Sequence, residues 1–185
     1  MKKIFSSFLF LSFPFLLFPQ LPKDFSWPVD TAIFITGNFG EIRLNHFHYG
    51  LDISIGGKEG MKILASADGY ISRIKIGTGG YGKAVYITHP NGYTTVYGHL
   101  RAITGKAGPF IKKKQYENKS FEFEFYPEKD DFPVRKGEII GEGGNTGFSA
   151  GIRAGYSGPI LYSTPGAGAP CAPIRTVGCA VRTNR

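Results

Sequence analysis

The segment HFHYGLD, residues 46–52, brings two imidazoles and a carboxylate within seven positions. Imidazole nitrogen with carboxylate oxygen is a common ligand set for a catalytic divalent ion. On an extended chain His46 and His48 point to one face, and Gly50 lets the backbone turn so that Asp52 can rejoin His48 at a metal. The same pattern also suits a polar strand followed by a turn, with no ligand involved. The chain has four histidines. The other two are His89, just before the turn Pro90-Asn91-Gly92, and His99, in the returning run TTVYGHL. Strand pairing can carry these two halves together over one groove.

Stepping out to the elements that must position these groups, residues 33–55 alternate apolar and polar side chains with glycine at the bends. KILASADGYISRIKIG follows the same rule, and Asp68-Gly69 reads as a hairpin turn. KAVYITHPNGYTTVYGHL gives two alternating runs joined at Pro90-Asn91-Gly92. Three strand–turn–strand units without a helical period predict an all-β, antiparallel domain. Residues 105–132 change character. KKKQYENKSFEFEFYPEKDD is charged, and FEFEF is a period-two strand with one aromatic and one acidic face. This predicts an inserted hairpin or flap on the sheet. FPVRKGEIIGEGGNTG then returns to short strands and glycine turns.

The 185 residues suit one domain plus extras. Glycine (26 residues) with Phe and Tyr (16 and 10) fits short strands and tight turns. A net charge of +8 suits an anionic partner: nucleic acid, lipid headgroups or bacterial cell wall. MKK followed by the apolar run IFSSFLFLSFPFLLF reads as an export signal over residues 1–20, short for a membrane span. Residues 21–32 form a linker and 33–151 the domain. Residues 152–185 contain no Lys, Asp, Glu, His or Phe, hold both cysteines, and read as an atypical tail, disordered or aberrant in origin. The expected location is the periplasm or the outside of a bacterial cell. That placement argues against nucleic acid as partner. Tyr81, Tyr86, Tyr93 and Tyr97 can stack bases, but they are more simply cross-strand packing pairs.

Two motif matches fail on their surroundings. GTGGYGK, residues 77–83, satisfies G-x-x-x-x-G-K, but Ala84 stands where a magnesium-holding hydroxyl belongs, and the loop joins two strands without opening a helix. GFSAG, residues 147–151, has the shape of a nucleophile elbow around Ser149, but no histidine follows it to complete a triad.

HYGLD, ADGYISRI, GGYGKAVYITHPNGYTTVYGHL and VRKGEIIGEGGNTGFSAG stand in the order found in lysostaphin/LytM-type zinc endopeptidases, and residues 33–151 resemble that family. The resemblance implies a grooved antiparallel sheet carrying one catalytic Zn²⁺, with His48 and Asp52 as two of its ligands. It implies that His99 is catalytic beside the metal and that His89 is structural; His46 receives no role. The implied activity is hydrolysis of peptide cross-links in bacterial peptidoglycan by a metal-activated water. His99 would position that water or stabilise the oxyanion. Neither nucleic acid nor a small-molecule cofactor is implied.

The family pattern also has an H-x-H strand after the glycine turn, whose second histidine completes the zinc site and whose first is catalytic. No histidine follows His99 in this chain. The nearest echo, SGPILY, offers Ile160 and Tyr162, and neither replaces imidazole. A catalytic zinc takes three protein ligands and a water. The expectation is therefore a zinc endopeptidase by family that is inactive, or nearly so, as this chain stands. The alternative is a non-catalytic LytM-like binding module that activates other wall hydrolases, with cell-wall amidases as partners.

Overall fold

The computed structural model describes residues 25–43, 47–48 and 50–147, and the backbone of Ser163–Pro165. The expected export signal, His46, Ser149, Ile160, Tyr162 and both cysteines lie outside the described residues.

Isoleucine, valine and threonine runs broken by glycine produce short strands, and every strand pairing is antiparallel. The main sheet holds β4 (Gly69–Ile76), β5 (Lys83–Thr88), β6 (Tyr93–Tyr97), β8 (Phe123–Phe125) and β11 (Ser163–Pro165) in the order β11-β6-β5-β4-β8, with β9 (Pro133–Val134) also against β4. A second sheet runs β3 (Lys62–Leu64), β10 (Ile139–Gly143), β7 (Leu100–Ile103). β1 (Ile35–Gly37) and β2 (Asp52–Ile53) form a two-stranded ribbon. The core contains Ile63 and Ile140 from the second sheet, Ile71, Ile74, Val85 and Ile87 from the main one, and Ile53 from the ribbon. Ile71 and Ile74 are three residues apart yet both buried. The register of β4 against β5 shifts between Ile71 and Arg73, and this bulge returns Ile74 to the core face.

The hairpin at Pro90-Asn91-Gly92 forms as its sequence predicts, closed by the His89 N–H to the Tyr93 carbonyl at 2.8 Å. GTGGYGK is likewise the connection between β4 and β5. Asp68-Gly69, however, is not a hairpin turn. β3 pairs with β10 and β4 with β5, β8 and β9, so the chain passes from one sheet to the other there.

The inserted hairpin is also corrected. Residues Ala107–Asn118 form a helix, α1, and only β8 of the insertion joins the sheet. Pro109 falls in the first turn, where its missing N–H costs little, and the Lys, Gln and Glu that follow are good helix formers. Ala107 and Ile111 alone are buried, so the helix carries too narrow an apolar stripe to show as a period. Phe110 fastens it to the sheet, its ring centroid 4.9 Å from Phe125 and 5.4 Å from Phe132. FEFEF does keep two faces over β8: Phe123 is buried, and Glu124 outside it pairs with Arg73 at 2.5 Å.

Candidate metal centre

His48 and Asp52 come together at the β1–β2 ribbon, at 4% and 5% exposure. The ribbon places Gly37 opposite Asp52 in register, and the His48 N–H reaches the Glu41 carbonyl at 2.8 Å. The His48 ring lies with Nδ1 2.9 Å from the Asn38 carbonyl. A carbonyl only accepts, so Nδ1 carries a proton and Nε2 is the nitrogen turned to Asp52. Nε2 stands 3.1 Å from Asp52 Oδ1, an ion pair when Nε2 is also protonated and two facing acceptors when it is not. Two buried acceptor atoms at this distance need a cation between them, either a proton or a metal ion.

The opposite carboxylate oxygen is occupied. Arg43 Nη2 donates to Asp52 Oδ2 at 2.7 Å and to Glu41 at 3.3 Å. Burial would raise the Asp52 pKa, but the neighbouring His48 and Arg43 outweigh it and hold the carboxyl below its ordinary range. The pair needs a glycine beside it. A Cβ on Gly37 would stand 2.5 Å from Asp52 Oδ2 and 2.6 Å from Arg43 Nη2.

These atoms fit two positions of a zinc site. Two ligands on one tetrahedral zinc lie about 3.3 Å apart, given bonds of about 2.0–2.1 Å. The Nδ1–H bond to a backbone carbonyl fixes the tautomer that a metal needs. Among the described residues no third His, Cys, Asp or Glu joins the pair.

His99 lies after β6 in the left-handed backbone region, with φ of 56°. Such a conformation is uncommon for a side chain larger than glycine and is held by its surroundings. Its N–H donates to the Tyr81 carbonyl at 2.8 Å, and the Tyr81 ring stands edge-on at 6.1 Å. Nδ1 faces the Thr146 carbonyl at 2.7 Å, which again leaves Nε2 as the acceptor. Burial pushes the His99 pKa down, and Asp52, His48 and Arg43 are near enough for their charges to act on it. His99 is thus a neutral imidazole near pH 7, near enough to the His48–Asp52 pair to feel its charges.

His89 sits apart, within the core. Its Nδ1 donates to the Asp68 carbonyl at 2.7 Å, so Nε2 accepts from Thr95 Oγ1 at 2.9 Å. Thr95 has one proton and has given it, so Tyr97 must donate to Thr95 Oγ1 at 3.0 Å while accepting the Ser66 N–H at 2.8 Å. Both ring nitrogens are engaged, which leaves none for a metal or a substrate.

Sequence reasoning singled out His48, Asp52 and His99, and it passed over Arg43 and Thr146. Thr146 holds three segments: its carbonyl takes the His99 ring, while its hydroxyl accepts the Lys83 N–H at 3.0 Å and donates to the Leu100 carbonyl at 2.8 Å. The signal available was the glycine pair around it. A Cβ on Gly82 would stand 2.4 Å from Thr146, so GYG and GNTG must be glycine-rich to dock.

Comparison with known proteins gives a consistent picture. Residues 46–116 match Peptidase family M23. The chain is 30% identical over 127 residues to an uncharacterized metalloprotease of Haemophilus influenzae, covering 64% of this chain and 22% of that protein. It is 35% identical over 113 residues to the DD-carboxypeptidase/endopeptidase Mpg of Neisseria meningitidis, covering 61% and 20%. It therefore spans about a fifth of the length of these curated relatives. Its fold is similar to the catalytic domain of the prophage-encoded M23 protein EnpA from Enterococcus faecalis, with a TM-score of 0.52 at 21% identity, covering 77% of this chain and 88% of that one.

Proposed function

We propose, from the premise that this chain carries a lysostaphin/LytM-type domain of peptidase family M23, that it is built around a zinc-peptidase site for the peptides of bacterial peptidoglycan, acting in the periplasm or outside the cell. The observation that carries this reading is the buried pair of His48 Nε2 and Asp52 Oδ1, two acceptor atoms 3.1 Å apart with a cation's place between them. Bound zinc would bring a water's pKa toward neutrality and polarise the scissile carbonyl. The chain's own residues supply the rest. His48 and Asp52 would hold the ion, Arg43 keeps the Asp52 carboxylate turned toward His48, and His99 Nε2 would be the nitrogen available to accept a proton.

Two ligands hold zinc weakly. With no histidine after His99 to complete the site, this chain should bind zinc with low affinity and turn over little. Elemental analysis of the purified chain tests this, beside His48→Ala and a version with an H-x-H strand inserted after Gly151. Zinc held only by the restored version supports the reading. Stoichiometric zinc in the chain as it stands, retained in His48→Ala, would overturn the assignment of the site.

The same lack of a later histidine favours a second reading, a LytM-like module that activates cell-wall amidases. Amidase assays with and without this protein separate the two, and unchanged amidase rates would remove the second.

A further inference from the structure

Beyond the metal centre, the GTGGYG loop and the insertion enclose a cleft of about 650 Å³ that no part of the mechanism uses. The loop gives it a rim of glycine backbone; Tyr81 and Tyr86 form its aromatic side, and Glu122, Glu124 and Lys75 its charged side. Its relation to the site is direct. Tyr81 lines the cleft and also takes the His99 N–H on its carbonyl and the His99 ring on its edge, so one residue forms the wall between them.

The two carboxylates are not equivalent. Glu124 is already bound by Arg73 at 2.5 Å, by the Tyr126 hydroxyl at 2.8 Å and by Lys75, the cleft's own cation, at 3.9 Å. The Glu122 carboxylate accepts the Thr78 hydroxyl at 3.3 Å, and among the described residues it has no ion pair. In a chain of net charge +8, with Lys75 turned to Glu124, the Glu122 carboxylate is the one set up to receive a further cation.

Register gives the reach. β8 lies beyond β4 and β5 from β6, three strand spacings or about 14 Å. Phe123 pairs with Ile76 and Val85 with Tyr97, which puts Glu122 and His99 at the same end of the sheet. An extended peptide rises about 3.3 Å per residue. A peptide reacting beside His99 and running across the strand ends therefore brings its fourth residue or so to Glu122.

We infer that this cleft is a subsite for an amine-bearing residue of the peptide substrate, with Glu122 as the carboxylate that recognises its ammonium group. The inference rests on the peptidase reading above for the kind of ligand, but not on turnover. Because Glu122 comes from the insertion, this selectivity belongs to the chain's own elaboration of the sheet.

Binding tests it. A soluble stem peptide with one free side-chain amine, and its twin acetylated on that nitrogen, are titrated into the full chain by fluorescence anisotropy. The free amine should bind about three- to fivefold more tightly at low salt, the range for a partly exposed ion pair. The preference should shrink in 0.5 M salt. Glu122→Gln should abolish it, and the distant Glu128→Gln should leave it intact. Equal binding of the two peptides, no binding of either, or a preference surviving Glu122→Gln would each overturn the subsite. An amine preference without hydrolysis of either peptide, even after the H-x-H strand is restored, would support the subsite and overturn the peptidase reading.

Discussion

Arg43 Nη2 holds Asp52 Oδ2 at 2.7 Å, and the other oxygen of the same carboxylate stands 3.1 Å from His48 Nε2. One buried carboxylate is thus shared between a permanent cation and an imidazole. The guanidinium fixes the rotation of the carboxylate, so that Oδ1, and not Oδ2, faces the histidine. Groups that orient metal ligands from behind commonly change metal affinity about 10–100-fold when removed.

Arg43→Gln should therefore weaken zinc binding by about tenfold in the version with a restored H-x-H strand. Arg43→Lys should fall between, because one nitrogen, Nη2, makes both contacts and an ammonium can keep that charge, but not the fixed planar geometry of the guanidinium. Competitive titration against a chromogenic chelator reads both. Affinities equal to the parent would show that Asp52 is oriented without Arg43.

Gly37→Ala tests the same pair through sterics. The added carbon would lie 2.5 Å from Asp52 Oδ2 and 2.6 Å from Arg43 Nη2. Both charged groups must move, so a stability loss of about 1–3 kcal/mol is expected. Urea unfolding of the full chain measures it, and an unchanged midpoint would contradict the packing described.

Thr146→Val keeps the shape of the side chain but removes the hydroxyl shared by the Lys83 N–H and the Leu100 carbonyl. Leaving both backbone groups unpaired should cost about 1–3 kcal/mol. Thr146→Ser should recover most of it. A valine variant as stable as the serine one would mean that water replaces the hydroxyl.

Acid should destabilise the domain. Burial depresses the pKa of His89 and of His99 below the ordinary 6.5, so on the acid side the unfolded chain binds more protons than the folded one. This contribution is fully present above pH 6.5 and is lost as the pH falls through the folded-state values. Asp52, held below its ordinary 3.8, adds a second loss at lower pH. The melting temperature should therefore drop between pH 7 and pH 5. In His89→Gln it should be lower at pH 7 and decline less steeply, with His99 accounting for what remains. A wild-type melting temperature flat over this range would refute the neutral, buried state of these histidines.

Much of the fold was legible because its strands are made of short-range pattern. β5 and β6 alternate on either side of a three-residue turn, and β4 meets β5 across glycines, so neighbours in sequence are neighbours in the sheet. The pattern misled where pairing is long-range. The Asp68-Gly69 turn looks like a hairpin, yet β3 finds its partner in β10, some seventy-five residues on. α1 escaped notice because its charged residues surround it and only Ala107 and Ile111 reach the core.

The sequence by itself determined which groups can do chemistry: a histidine and a carboxylate four residues apart, a second imidazole in a strand-end motif, and no histidine beyond it. Ligand type and local spacing are properties of the chain, so they survive without coordinates. Only the tertiary structure decided how those groups are held. It put Arg43 behind Asp52, turned Nε2 of His48 toward Asp52 by a bond from Nδ1 to Asn38, placed His99 on the Thr146 carbonyl from forty-seven residues away, and buried His89 out of reach. Each of these depends on which proton each nitrogen keeps and which oxygen faces it, and that is set by contacts between segments distant along the chain.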